Sequence, residues 1–357
     1  MTDREPSTRA AGAGRAVRVA VDLLGGDGAP EVVVDAALRA LDADPALSIV
    51  LVGPPDAARD LLAARGVPLP EAGHGHAMSG HRVQTAAAAT VVGMDDDPLR
   101  AVRARRDLTV RVCYDLVASG RADATVSAGH SGAAVVAASF VLGRLRGITR
   151  PALAVVLPAL AGPVVLLDAG AGTTATPDLL AQHALLGAAY AEALGTLDPR
   201  VGLLTIGSEP GKGDVVRAEA DALLAGLPVR YAGPVEGHDV ALGGAADVVV
   251  TDGFTGNVAL KAVEGTLAWA VEAFGRAYGD PGPARAALRE VAHGRYAGGM
   301  LLGVDGVSVV GHGASTAASL AAAIELASTA VRRDLVARTG ALVEGLVARR
   351  RAALGLA

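Results

Sequence analysis

Two lysines stand against 30 arginines in this chain, Lys212 and Lys261, and its one asparagine is Asn257. All three fall in two Gly-containing segments, Glu209–Asp214 and Thr251–Lys261. Where Arg is written almost everywhere else, a retained Lys marks a place for a compact ammonium that a planar guanidinium does not replace. The chemistry such residues serve beside glycine turns is the grip of an anion. Six turns have that character: Gly25–Pro30, Ser127–Gly132, Gly170–Thr174, Gly207–Gly213, Gly253–Asn257 and Gly311–Ser315. Several lead from an expected strand into an expected helix, where free backbone N–H groups cradle negative charge. With Lys212, Lys261 and His312 they point to a phosphate-sized ligand. None is a dinucleotide fingerprint or a P-loop.

Three expected strands end in an acid, Asp22, Asp168 and Asp252. Ligands of open α/β sheets bind beyond the carboxyl ends of strands, so these acids are site candidates; the alternative is that each caps the next helix. Protein nucleophiles are scarce. Cys113 lies on the apolar face of an expected helix, which predicts burial. No serine sits in a G-x-S-x-G elbow. His74, His76 and His81 share a loop without a matching carboxylate cluster, so neither metal nor cofactor is expected. A substrate that is itself the nucleophile fits this inventory best.

The elements that position these residues are short apolar runs alternating with helical patterns. Strands are expected at Val17–Asp22, Ile49–Gly53, Ala124–Ser127, Ala152–Leu157, Val164–Asp168, Val201–Ile206, Val229–Ala232, Asp247–Asp252 and Val307–Val310. Helices are expected from Pro30, Asp56, Pro98, about Val112, Pro177, Thr255 and Ser315. Most of the strands are continuous apolar runs, the mark of a sheet covered on both faces. The expected fold is therefore an α/β/α sandwich with a mainly parallel sheet. One domain is expected over residues 17–345, with a disordered tail over 1–16 and a frayed end over 346–357. Pro151–Gly172 is the most membrane-like run, but its prolines and Asp168 read as two short strands. A net charge of −5 argues against general nucleic-acid binding, and a single cysteine fits a reducing, cytoplasmic compartment.

At these residues the chain resembles the bacterial phosphate acyltransferases of phospholipid synthesis, the acyl-carrier-protein (ACP):phosphate transacylases. The matching segments are Val19–Asp27, Asp95–Arg103, Ala122–Ala133, Arg150–Ala154, Pro199–Gly207 with Gly211–Gly213, Asp247–Lys261, Leu301–Gly306 and His312–Ser315. The resemblance implies a fold like the isocitrate and isopropylmalate dehydrogenases and the phosphotransacetylases. It implies a homodimer, and attack of orthophosphate on acyl-ACP to give acyl phosphate and free ACP. The product would feed a membrane acyltransferase acting on glycerol 3-phosphate. Placed on this chain, the family pattern gives phosphate to Lys212 and to the turn of Ser127, Gly129, His130, Ser131 and Gly132. His312 and Ser315 would assist with phosphate or the oxyanion, Asp252 and Asn257 would shape the site, and Lys261 would anchor its segment. Asp22, Gly25, Gly26, Asp27 and Asp168 complete the expected substrate contacts. The basic stretch of Arg100, Arg103, Arg105 and Arg106 is an expected dock for acidic ACP; its alternative is a solvated helix face.

Departures from the family pattern are His130 in place of Asn, Ser131 in place of Thr, Gly172 in place of Asn, and Leu108-Thr109 in place of a Ser pair. The segment from Lys261 to Tyr296 is shortened and broken by Gly279–Pro283, so weak or no membrane binding is expected beyond a peripheral association. Two rival readings are a short-chain acyl-CoA phosphotransacylase and a catalytically weak protein that binds ACP or an acyl group as a regulator.

Overall fold

The computed structural model describes residues 15–67, 69, 82–93, 95–209, 212–292 and 298–353. His74, His76 and His81 lie outside them, as do residues 1–14 of the expected tail. The strands are β1 (Val17–Asp22), β2 (Leu47–Gly53), β3 (Val83–Ala87), β4 (Ala124–Ser127), β5 (Ala152–Leu157), β6 (Val164–Leu167), β7 (Arg200–Leu204), β8 (Arg230–Val235), β9 (Val248–Val250), β10 (Gly299–Leu302) and β11 (Val307–Val310). They form one 11-stranded sheet in the order β3-β2-β1-β4-β11-β10-β5-β6-β9-β7-β8. Pairing is parallel except where β10 meets β11 and β5, and where β5 meets β6.

The apolar runs are buried on both faces because side chains alternate along a strand. In β1, Val17, Val19 and Val21 enter the largest core cluster while Ala20 packs with Cys113 and Leu116 on the other side. In β6, Val165 and Leu167 face the first core and Val164 and Leu166 a third. On the first face lie α1 (Glu31–Ala43), α2 (Pro55–Ala63), α6 (Pro177–Ala193), α7 (Val215–Leu224), α11 (Ala317–Arg332) and α12 (Leu335–Ala353). The second face carries α3 (Pro98–Ala104), α4 (Thr109–Ala118), α5 (Ser131–Val141), α8 (Gly237–Leu242) and the base of α9 (Gly253–Tyr278). The expected α/β/α sandwich is the observed one.

Pro151–Gly172 contains two short strands, as expected, and these, β5 and β6, pair antiparallel. No described helix is long and apolar enough to cross a membrane. Past Leu260, α9 leaves the body and contacts α10 (Gly282–Ala292). It exposes Trp269 and Tyr278. The Gly279–Pro283 break is the turn of this hairpin, with Gly279 at φ 76° capping α9.

Candidate active site

Strands β1, β4 and β11 stand side by side, and the turns beyond their carboxyl ends lock together. Asp27 N–H donates to Gly313 O at 2.8 Å, and Gly311 N–H donates to Ser127 O at 2.8 Å. A Cβ on Gly25 would lie 2.8 Å from Gly129 N, so two backbones pass where only glycine fits. These turns wall a cleft of about 740 Å³. Helices α5 and α11 begin at its edge, so two positive helix ends face it. Its polar wall includes His130, Ser131, His312 and Ser315. Its apolar wall includes Val92, Val110, Leu153, Val155, Leu260 and Val310. An anion and an aliphatic chain can therefore be held side by side.

Helix α9 closes the cleft from across the sheet. Asn257 and Lys261 are four residues apart, hence on one face, and both line it. Asn257 Nδ2 donates to Ala169 O at 3.1 Å. Lys261 Nζ lies 2.7 Å from a Glu264 carboxylate oxygen and 3.4 Å from His312 Nε2. Ala314 N–H donates to His312 Nδ1 at 3.2 Å. With Nδ1 accepting, the ring proton sits on Nε2. Two donors, Nε2–H and the ammonium, then face each other, and among the described residues no acceptor lies between them. Such a pair of donors can both donate to one anionic oxygen.

Asp22 sits under the same floor. Ser127 Oγ donates to its Oδ2 at 2.7 Å, and Leu24 N–H donates to its Oδ1 at 3.2 Å. Burial pushes this carboxyl up, against the lowering pull of Ser127, Thr109 and the Leu24 and Gly25 amides. A carboxyl held toward its neutral form repels a neighbouring anion less. Gly25, Gly26, Asp27 and Gly129 line the cleft beside it, whereas Ser127 and Gly132 do not; Ser127 Oγ accepts from Gly129 N–H at 3.2 Å.

The other expected site residues fall elsewhere. Lys212 is exposed in the loop between β7 and α7, its N–H donating to Glu209 O at 3.2 Å, and does not line the cleft. The reason is topological: β7 pairs outside β9, far along the sheet from β4 and β11. Asp168 accepts from the amides of Leu153, Gly170, Ala171 and Gly172, so its oxygens are spent on folding the turn after β6. Asp252 caps α9 by accepting from Thr255 N–H at 2.9 Å and pairs with Arg217 at 2.6 Å. Asp252 follows the capping alternative, whereas Asp168 caps no helix and holds a turn instead. Of the basic stretch, Arg100, Arg103 and Arg106 are exposed on and just after α3, which packs against α5, while Arg105 is tied to Asp96 at 2.7 Å.

Burial alone would raise the Asp252 carboxyl, but the Thr255 amide and hydroxyl and the Arg217 guanidinium outweigh it and hold it below its usual range. A depressed carboxylate stabilises the fold above its unfolded pKa, and that contribution is lost as pH falls through the folded value. Asp252→Ala is therefore expected to cost about 2 kcal/mol at pH 7, as a lost cap and ion pair. In urea titrations the difference from the parent should begin to shrink below about pH 4, where the unfolded parent takes up the proton, and vanish only at the lower pH where the folded carboxylate protonates. Equal midpoints at pH 7 would exclude the role.

Two of the departures from the family pattern keep a definite place in the fold. His130 Nδ1 accepts from Ala133 N–H at 3.3 Å and caps α5, the acceptor role an Asn oxygen would fill. Thr109 is buried against Asp22. Residues that sequence reasoning missed are Arg217, Glu264 and His183. Buried His183 reaches Thr251 O at 3.4 Å behind the start of α9, and burial lowers its pKa against the pull of Asp168, the Thr251 carbonyl and Asp252. Only Glu264 carried a signal, its i,i+3 spacing from Lys261.

The family described as "Fatty acid synthesis protein" matches residues 17–338. A phosphate acyltransferase of Anaeromyxobacter sp. is 42% identical over 360 residues, covering 94% of this chain and 95% of the relative. One of Thermus thermophilus is 43% identical over 334 residues, covering 90% and 97%. Among solved structures, a phosphotransacetylase from Streptococcus pyogenes superposes with a TM-score of 0.58 at 20% identity, over 88% of this chain and 94% of the other. A 4-hydroxythreonine-4-phosphate dehydrogenase from Klebsiella pneumoniae gives 0.52 at 16% identity, over 88% and 99%. At these identities the two structures share the fold.

Proposed function

The chain belongs to the phosphate acyltransferase family and is an acyltransferase, and from that premise we propose that it transfers an acyl group from ACP to orthophosphate. The observation that carries this reading is the pair of Lys261 Nζ and His312 Nε2, 3.4 Å apart in a cleft with an aliphatic wall. Phosphate docks between them and the starts of α5 and α11, and the acyl chain lies along Leu153, Val155 and Val310. A phosphate oxygen bonds to the thioester carbonyl carbon, the C–S bond breaks, and the phosphate's proton ends on the departing ACP thiol. No protein nucleophile is consumed. The cleft supplies proximity and donors for the developing oxyanion.

In this reading Arg100, Arg103 and Arg106 meet the acidic carrier at the mouth, a contact that steers encounter more than it adds affinity. The apolar residues Leu267, Val271 and Phe274 recur at helical spacing on the projecting part of α9, which supports a homodimer through this hairpin. Light scattering that returns one chain's mass would remove that part. The downstream step is a membrane acyltransferase that consumes the acyl phosphate.

The reaction is tested by thiol release from a long-chain acyl-ACP with and without phosphate, trapping the acyl phosphate with hydroxylamine. Release only with phosphate is expected, and faster than from acyl-CoA at equal concentration. Faster use of acyl-CoA would move the substrate to the short-chain rival. ACP binding without release under any condition would leave a regulatory binder instead.

A further inference from the structure

At the opposite end of the sheet from the cleft lies a second cavity, of about 440 Å³. It opens at the amino ends of β1 and β2 and at the turn before β4, and Arg15, Arg18, Ser48, Arg121 and Asp123 line it. Among the described residues that line it, three guanidiniums thus meet one carboxylate. That carboxylate is already engaged: Asp123 Oδ2 accepts from Arg18 N–H at 2.8 Å, and its Oδ1 lies 3.7 Å from Arg15. Arg15 is shared further with Asp334 at 3.4 Å. Arg18 Nη1 donates to Arg121 O at 3.2 Å, which brings the two segments together. Among the described residues neither Arg18 nor Arg121 has a carboxylate within ion-pair distance.

We propose that this cavity is a binding site for a small phosphorylated anion, separate from the acyl-transfer cleft. Guanidinium forks match phosphate oxygens in pairs. The volume lies in the range of small-molecule sites. Among the described residues no aromatic side chain lines it, so nothing there stacks on a nucleobase. A phosphate monoester or a diphosphate carries enough charge for the guanidiniums of Arg18 and Arg121 and needs no such partner. Arg18 and Asp22 sit near the two ends of the same strand, four residues or roughly 13 Å apart, so the two sites are distinct.

Calorimetric titration of the full chain with inorganic pyrophosphate tests the assignment. Two classes of site are expected: one lost in Lys261→Met, the other in the double variant Arg18→Gln/Arg121→Gln. The double variant should weaken its class at least tenfold and leave phosphate-dependent acyl transfer at the parent's rate. Arg39→Gln/Arg146→Gln removes the same charge from exposed positions elsewhere and should change neither class. A profile in which no class depends on Arg18 and Arg121, or equal weakening in the two double variants, would overturn the site. A single class that depends on Arg18 and Arg121 and ignores Lys261 would sink the cleft reading while this one stood.

Discussion

Replacing Lys261 with methionine is expected to lower kcat/KM for phosphate by roughly 10²–10³-fold, the usual loss when one donor to a developing charge is removed. Among the described residues the ammonium is the one basic side chain that reaches the cleft from α9. It faces His312 Nε2 at 3.4 Å, with Glu264 opposite in charge beside it. Methionine keeps the length of the stem and removes the charge. Stability should hardly move, because the Lys261 side chain is 47% exposed and its pair with Glu264 is a surface contact. Lysine-to-arginine at this position should not restore the rate: a fork wider than an ammonium would have to displace His312. Initial rates across a phosphate series separate the outcomes. A raised KM with little change in kcat places Lys261 on bound phosphate, and a fall in kcat places it on the transition state. Unchanged values of both would sink its role.

Lys261 rather than Lys212 carries this expected loss, and the reason shows where sequence reading stops. The paired rarity of Lys212 and Lys261 is visible in composition, and so are the glycine turns. What composition does not carry is the order of strands in the sheet. Strand β7 follows β6 in the chain but pairs outside β9, which takes Lys212 away from the turns after β1, β4 and β11. Local patterns are legible because local physics sets them: continuous apolar runs imply two-faced burial, and an i,i+4 spacing puts Asn257 and Lys261 on one face. Strand β10 is illegible, since Gly-Met-Leu-Leu is too short to show a period and one of its two antiparallel partners, β5, is distant in the chain. The acids divide along the same line. Asp22, Asp168 and Asp252 look alike in sequence, each ending a strand shortly before a glycine. Their roles differ by what the fold brings to them. Asp22 receives the Ser127 hydroxyl from β4, Asp168 receives four amides, and Asp252 receives Arg217 from α7.

Gly256→Ala is expected to cost about 3 kcal/mol or more and to abolish acyl transfer, although it adds one methyl to a helix, where alanine is otherwise the better residue. A Cβ at Gly256 would lie 1.9 Å from Asp168 O and 3.1 Å from Thr251 Cγ2. The oxygen is backbone, and its residue is held on both sides: Asp168 N–H donates to Thr251 O at 3.1 Å, and the carboxylate binds the turn that follows. Relief must therefore come from α9, whose first turn carries the Asp252 cap. Lifting that turn drags Asn257 off Ala169 O and Lys261 away from His312. Gly265→Ala, farther along the same helix, is the control. Nothing lies within 4 Å of a Cβ there, so the ordinary preference of helices for alanine should stabilise the chain by up to about 1 kcal/mol and leave activity alone. Urea midpoints and initial rates of the two variants separate in opposite directions if α9 is anchored against the Asp168 carbonyl. A Gly256→Ala enzyme as stable and active as the parent would show that the start of α9 is free to move, and the pairing of Lys261 with His312 would then no longer define the phosphate site.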